Sequence, residues 1–126
     1  FHPIHQAYLL VQTFGNEGFW LPGGFLQSTE SFSIAAQREC LSQCGIHIDV
    51  KGILSISHTP NSPKESYVLM TTVVYAEPIN LDELPKSTPD FFNVGSCWSR
   101  MDQLSGGELR LKGTEVLKWI SYHNNG

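Results

Sequence analysis

A single α+β domain is what this sequence predicts, and three observations predict it. Short β-branched and aromatic runs are cut apart by glycine and proline clusters, a segment of helical period sits early in the chain, and another closes it. The resulting order is β, loop, α, β, β, β, α. No repeat, low-complexity tract or linker divides residues 1–126, so one domain over the whole length is expected.

The first element is Gln6 to Thr13 (QAYLLVQT), an apolar run bounded by Gly15, Asn16 and Gly18 as a strand ending in a turn should be. Phe19-Trp20-Leu21-Pro22-Gly23-Gly24 reads as a loop, because a proline and two glycines oppose regular structure. From Ser31 to Cys44 (SFSIAAQRECLSQC) the apolar or small residues Phe32, Ala35, Ala36, Cys40 and Cys44 recur near the 3.6 period, with Gly45 placed as terminator. That predicts an amphipathic helix.

Ile46 to His58 and Ser66 to Ala76 are rich in β-branched and aromatic residues, and the breakers Thr59-Pro60-Asn61-Ser62-Pro63 separate them. Two strands are expected there. Glu77 to Asp90 reads as loop with a short helical turn around Leu81 to Leu84, followed by an apolar segment, Phe91 to Trp98. The last element is a helix over Thr114 to His123, with Val116, Leu117 and Ile120 on one face.

Composition excludes several classes. Hydrophobic residues are 40% of the chain and charged residues 16%, against roughly 25% charged in ordinary soluble domains, so charge-driven disorder is excluded. The formal net charge is -4 and the bases are scattered; Arg110, Lys112 and Lys118 are too few for a phosphate track, leaving RNA without positive support. No window approaches the ~18 apolar residues of a membrane span. Three cysteines, Cys40, Cys44 and Cys97, form no CxxC pair, which argues for free thiols and a reducing, cytoplasmic compartment.

The chemistry-bearing pattern is Gly24-x5-Glu30-x7-Arg38-Glu39-Cys40, closed by Gly45-Ile46. This stretch resembles the Nudix box, written G-x5-E-x7-R-E-U-x-E-E-x-G-U with U apolar. Trp20 to Gly24 resembles the segment that leads into that box, and Gly95 to Leu104 the tryptophan-bearing late strand and turn of many Nudix domains. The resemblance implies a Nudix-like α/β/α sandwich with a mixed β-sheet. It also implies Mg²⁺- or Mn²⁺-dependent hydrolysis of a nucleoside diphosphate linked to another group.

Such hydrolysis needs divalent metal to neutralise phosphate and activate water, and hard cations take oxygen ligands. Residues three and four apart on a helix are neighbours, so Glu39 shares a stripe with positions 42 and 43. The family pattern has glutamates at all three; this chain has Glu39, Ser42 and Gln43. A hydroxyl and an amide bring no charge, and neither serves as a general base, whose loss typically costs about 10²–10⁴-fold. What remains is the family's structural part: Gly24, Gly45, and Glu30 with Arg38, a guanidinium–carboxylate pair suited to locking loop to helix.

By the same resemblance, Glu39 is the candidate catalytic residue, and Gly23 (through its carbonyl), Glu39 and Gln43 are candidate metal ligands. Trp20 and Tyr67 are candidate stacking residues, with Phe25 and Trp98 as further aromatics that core packing would equally explain. Glu65, Asp82, Glu83 and Asp90 are the candidate acids outside the box for the missing ligand positions, each more readily read as an ordinary solvated charge. Cys40 and Cys44 read as core, and the five histidines form no spaced cluster.

Two functional readings stand at this point. The first is a catalytically impaired or inactive Nudix-fold domain binding a nucleotide, an RNA end or a protein partner, with no metal requirement. The alternative is an active Mg²⁺/Mn²⁺ pyrophosphohydrolase using Glu39 and an out-of-box carboxylate.

Overall fold

The apolar run after Gln6 becomes the central strand, β1 (Ala7–Gln12), in a computed structural model that describes residues 1–12, 18–60, 68–87, 95–107 and 109–125. On one side β1 pairs antiparallel with β2 (Phe19–Trp20), and on the other with β5 (Gly95–Arg100). β2 corrects the expectation of a loop at Phe19-Trp20. Two residues are too few to show a period, and tertiary pairing holds them: Phe19 bonds backbone to backbone with Arg110 and Lys112 on its far side, through a parallel bridge to Leu111. The sheet is therefore mixed in direction at that edge.

Both faces of β1 are covered, which is why its residues are buried in succession rather than alternately. Leu9 and Val11 point to the helix α1 (Phe32–Cys44), packing with Cys40, Cys44 and Ile46. Tyr8 and Leu10 point the other way, onto Leu104 of α2 (Met101–Ser105) and Val116 and Ile120 of α3 (Glu115–Asn125). The result is the α/β/α layering of a Nudix-like fold. A long antiparallel hairpin, β3 (Ile48–Pro60) with β4 (Val68–Pro78), forms a second sheet in contact with α1 and α3.

The helix α1 starts and stops where the sequence places its caps. Ser31 accepts from the Ile34 N–H at 3.2 Å, and Gly45 takes the left-handed conformation (φ 71°) and donates to Leu41 O at 2.9 Å. Its core face is Ala35, Cys40 and Cys44; Phe32, expected on that face, is exposed. Leu81 to Leu84 makes a single hydrogen-bonded turn, Glu83 N–H to Asn80 O, and no helix. α2 was not predicted; the Gln103 side chain starts it by accepting from the Arg100 N–H at 2.9 Å. Among the described residues Cys40, Cys44 and Cys97 are free thiols. Among the described residues no helix is long and apolar enough to cross a membrane.

One buried polar atom on β4 lacks a partner: the Thr72 hydroxyl is shielded from solvent and makes no hydrogen bond. A buried unsatisfied hydroxyl costs more than it returns. Thr72→Val keeps the shape and removes the orphan, and is expected to stabilise the fold by about 1 kcal/mol in urea unfolding; a destabilised variant would mean the hydroxyl has a partner.

Candidate functional site

Arg38 organises the loop that precedes α1. Its Nε donates to Glu30 Oε2 at 2.6 Å and its Nη2 to Glu30 Oε1 at 2.8 Å, a bidentate pair, and Nη2 also donates to Phe25 O at 3.2 Å. Glu30 Oε1 accepts in turn from the Gln27 N–H at 2.9 Å. The Arg38 hydrogen bonds, with the Gln27 N–H second, hold the Glu30 carboxyl below its ordinary value of 4.5, and the two carboxylates of Glu30 and Glu39 push the guanidinium up. Because the folded state lowers this carboxyl's pKa, its stabilisation is complete above about pH 4.5 and is lost as pH falls below that. Glu30→Gln is therefore expected to flatten the acid limb of the stability–pH curve, measured by urea midpoints from pH 3 to 7; an unchanged limb would place the acid sensitivity elsewhere.

The same guanidinium touches Glu39, its Nη1 donating to Oε1 at 2.6 Å. The other oxygen, Oε2, accepts from Gln43 Nε2 at 3.0 Å. Gln43 also clasps the Gly23 peptide on both sides: Nε2 donates to Gly23 O at 2.8 Å, and Oε1 accepts from the Gly23 N–H at 3.1 Å. Those partners leave the amide one orientation, since a backbone N–H must meet the oxygen and a backbone carbonyl the NH₂. Gly24 packs against this cluster; a Cβ there would sit 2.7 Å from the Glu39 carboxylate and would displace it from its Arg38 and Gln43 partners.

The structure thus brings together Gly23, Gly24, Glu30, Arg38, Glu39 and Gln43. These donors do not fit a divalent cation. The Gln43 NH₂ lies within hydrogen-bonding distance of both the Gly23 carbonyl and the Glu39 carboxylate, so a proton donor stands between two oxygens that a cation would need to share. Ser42 is exposed, and its carbonyl accepts from Lys86 Nζ at 3.3 Å. Glu83 is committed to His47, whose N–H and Nδ1 contact it at 3.2 and 2.9 Å, and Asp82 is exposed in the turn. Among the described residues no group of three or more His, Cys, Asp or Glu is placed to hold a metal. Glu65 and Asp90 lie outside the described residues.

Beside this cluster a cleft of about 760 Å³ opens between the β1 sheet, α1, α3 and β4. Glu39, Gly23 and Gly24 stand on its wall, as do Trp20, Trp98 and Trp119. Trp20 meets Trp119 edge to face at 5.5 Å, and Tyr75 stacks on His123 at 4.7 Å. Phe25 lies at the rim, 83% exposed. Tyr67 lies outside the described residues. Sequence reasoning missed Trp119, Tyr75 and His123 as cleft residues. The α3 periodicity signals that Trp119 adjoins a buried face, but nothing local signals its approach to Trp20.

The layered fold and the Gly24–Ile46 geometry define a known class, and the chain belongs to it: the family described as NUDIX domain matches residues 4–120. Among solved structures it is similar to a NUDIX hydrolase from Nitrosomonas europaea, with a TM-score of 0.75 at 20% identity over 96% of this chain and 82% of that one. It is also similar to a UDP-X diphosphatase, with a TM-score of 0.61 at 18% identity over 77% of this chain and 46% of that one. At these identities the likeness is one of fold. No curated protein matches the chain.

Proposed function

We propose that this chain is a NUDIX domain whose metal site is neutralised, and that it works by binding a ligand in its cleft without hydrolysing it. The observation that carries this reading is the Gln43 amide, which satisfies the Gly23 carbonyl and the Glu39 carboxylate with N–H donors. Glu39 is then a structural acceptor, held at both oxygens, rather than a ligand or base. Gly24, Glu30, Arg38 and Gly45 keep the loop and helix in place. The three free thiols support a reducing compartment.

The alternative, a working hydrolase like the two fold neighbours, requires a further carboxylate beside Glu39. The test is turnover of nucleoside diphosphate conjugates, UDP-glucose and ADP-ribose, with Mg²⁺ and with Mn²⁺. Release at the no-enzyme rate is expected. Metal-dependent turnover that disappears in Glu39→Gln would overturn the proposal.

A further inference from the structure

His123 reaches the cleft wall from the last turn of α3, and its ring is held from several sides. It stacks on Tyr75 with the planes 18° apart, while Phe1 and Tyr8 flank it at 4.6 and 5.7 Å. Burial pushes the imidazole down from its ordinary value, so at pH 7 the ring is neutral and carries its proton on one nitrogen only. Which nitrogen that is decides what the ring offers a ligand. Nδ1 is engaged, 2.7 Å from the Tyr8 hydroxyl oxygen, whereas Nε2 has no hydrogen-bond partner among the described residues.

The Tyr8 hydroxyl settles the choice, because it has a single proton and two neighbours. Its oxygen lies 2.7 Å from His123 Nδ1 and 3.2 Å from Asn124 Oδ1, and burial pushes the phenol up, so its proton stays on. With Nδ1 bare, both neighbours are acceptors competing for that one proton, and one of them goes without. With hydrogen on Nδ1, the ring donates to the Tyr8 oxygen while the Tyr8 O–H donates to Asn124 Oδ1. Every atom in the row is then matched, and the two bonds polarise one another. We infer that Asn124 and Tyr8 hold His123 as the Nδ1–H tautomer, and that its bare Nε2 is the acceptor for a ligand bearing an O–H or N–H donor. The inference rests on the reading of the cleft as a ligand site. Tyr8 and Asn124 are positioning residues; His123 makes the contact.

Nitrogen NMR on the whole ¹⁵N-labelled chain at pH 8 tests this, with His123 identified by its loss in His123→Gln. The expected spectrum has the proton on Nδ1 and the bare-nitrogen shift on Nε2. Cyclohexanol is expected to move the Nε2 resonance saturably, and to bind about threefold or more tightly than cyclohexyl methyl ether, the weight of one hydrogen bond. Asn124 is exposed, so Asn124→Ala leaves the core intact; there the Tyr8 proton turns to Nδ1, the ring proton moves to Nε2, and the preference for the alcohol disappears. Asn124→Asp keeps the acceptor and is expected to keep both the tautomer and the preference. A proton on Nε2 in the unaltered chain, or an equal or absent response to alcohol and ether, would overturn the inference. Failure of the neutralised-site reading is separate: it shows as metal-dependent turnover and leaves the His123 tautomer unchanged.

Discussion

Restoring both missing acids, as Ser42→Glu with Gln43→Glu, is expected to raise Mn²⁺ affinity by at least about tenfold. Tenfold is 1.4 kcal/mol, and one added carboxylate about 4 Å from a cation contributes about 4 kcal/mol per unit charge at an effective dielectric constant near 20, before desolvation. The double change also removes the NH₂ that now satisfies Gly23 O and Glu39 Oε2. Without metal, three carboxylates on one helix face repel, so the unfolding midpoint falls. With Mn²⁺ it rises with concentration, as ligand binding to the folded state alone requires. Thermal unfolding across a Mn²⁺ series checks this; a midpoint indifferent to Mn²⁺ would show that positions 42 and 43 do not share a metal face with Glu39.

Leu10→Ala is expected to cost about 2–5 kcal/mol, a large share of the ~5–15 kcal/mol typical of a domain. Leu10 is 0% exposed at the centre of β1, packed with Tyr8, Leu104, Val116 and Ile120, so its loss opens a cavity between the central sheet and two helices. Phe25→Ala, at 83% exposure, is the contrasting case and should lie within about 0.5 kcal/mol of the parent. Urea midpoints measure both. A Leu10→Ala cost below 1 kcal/mol would mean the layers do not meet at this residue.

Much of the fold was legible because local rules and tertiary packing agree. α1 carries its own caps, Ser31 and Gly45, around a run of helical period, and the β3–β4 strands are rich in β-branched residues, Val50, Ile53 and Ile56 on one and Thr71 to Val74 on the other. β2 was illegible because it is two residues long and, beyond its pairing with β1, its far edge is held by residues 110–112, some ninety positions away. Phe32 was placed on the core face by its spacing, yet it stands in the first turn of α1, where the helix overhangs the cleft.

The candidate site divides the same way. Spacing alone aligned Glu30, Arg38 and Glu39 with a known motif, because that motif is local. The role of Gln43 was not readable, since its partner Gly23 is twenty residues back and meets it only when the loop folds over α1. From sequence, Gln43 is a glutamate's uncharged replacement. In the structure it is a clasp with three hydrogen bonds to the two groups a cation would otherwise join. The cleft's aromatic wall was partly visible in Trp20 and Trp98; Trp119 required the tertiary fold.

The central claim, that Gln43 has closed the metal site, is tested most directly by titrating the unaltered chain with Mn²⁺ and following free Mn²⁺ by electron paramagnetic resonance. The account predicts that the signal matches buffer up to millimolar concentration. Stoichiometric loss of free Mn²⁺ below that range, abolished by Glu39→Gln, would contradict it.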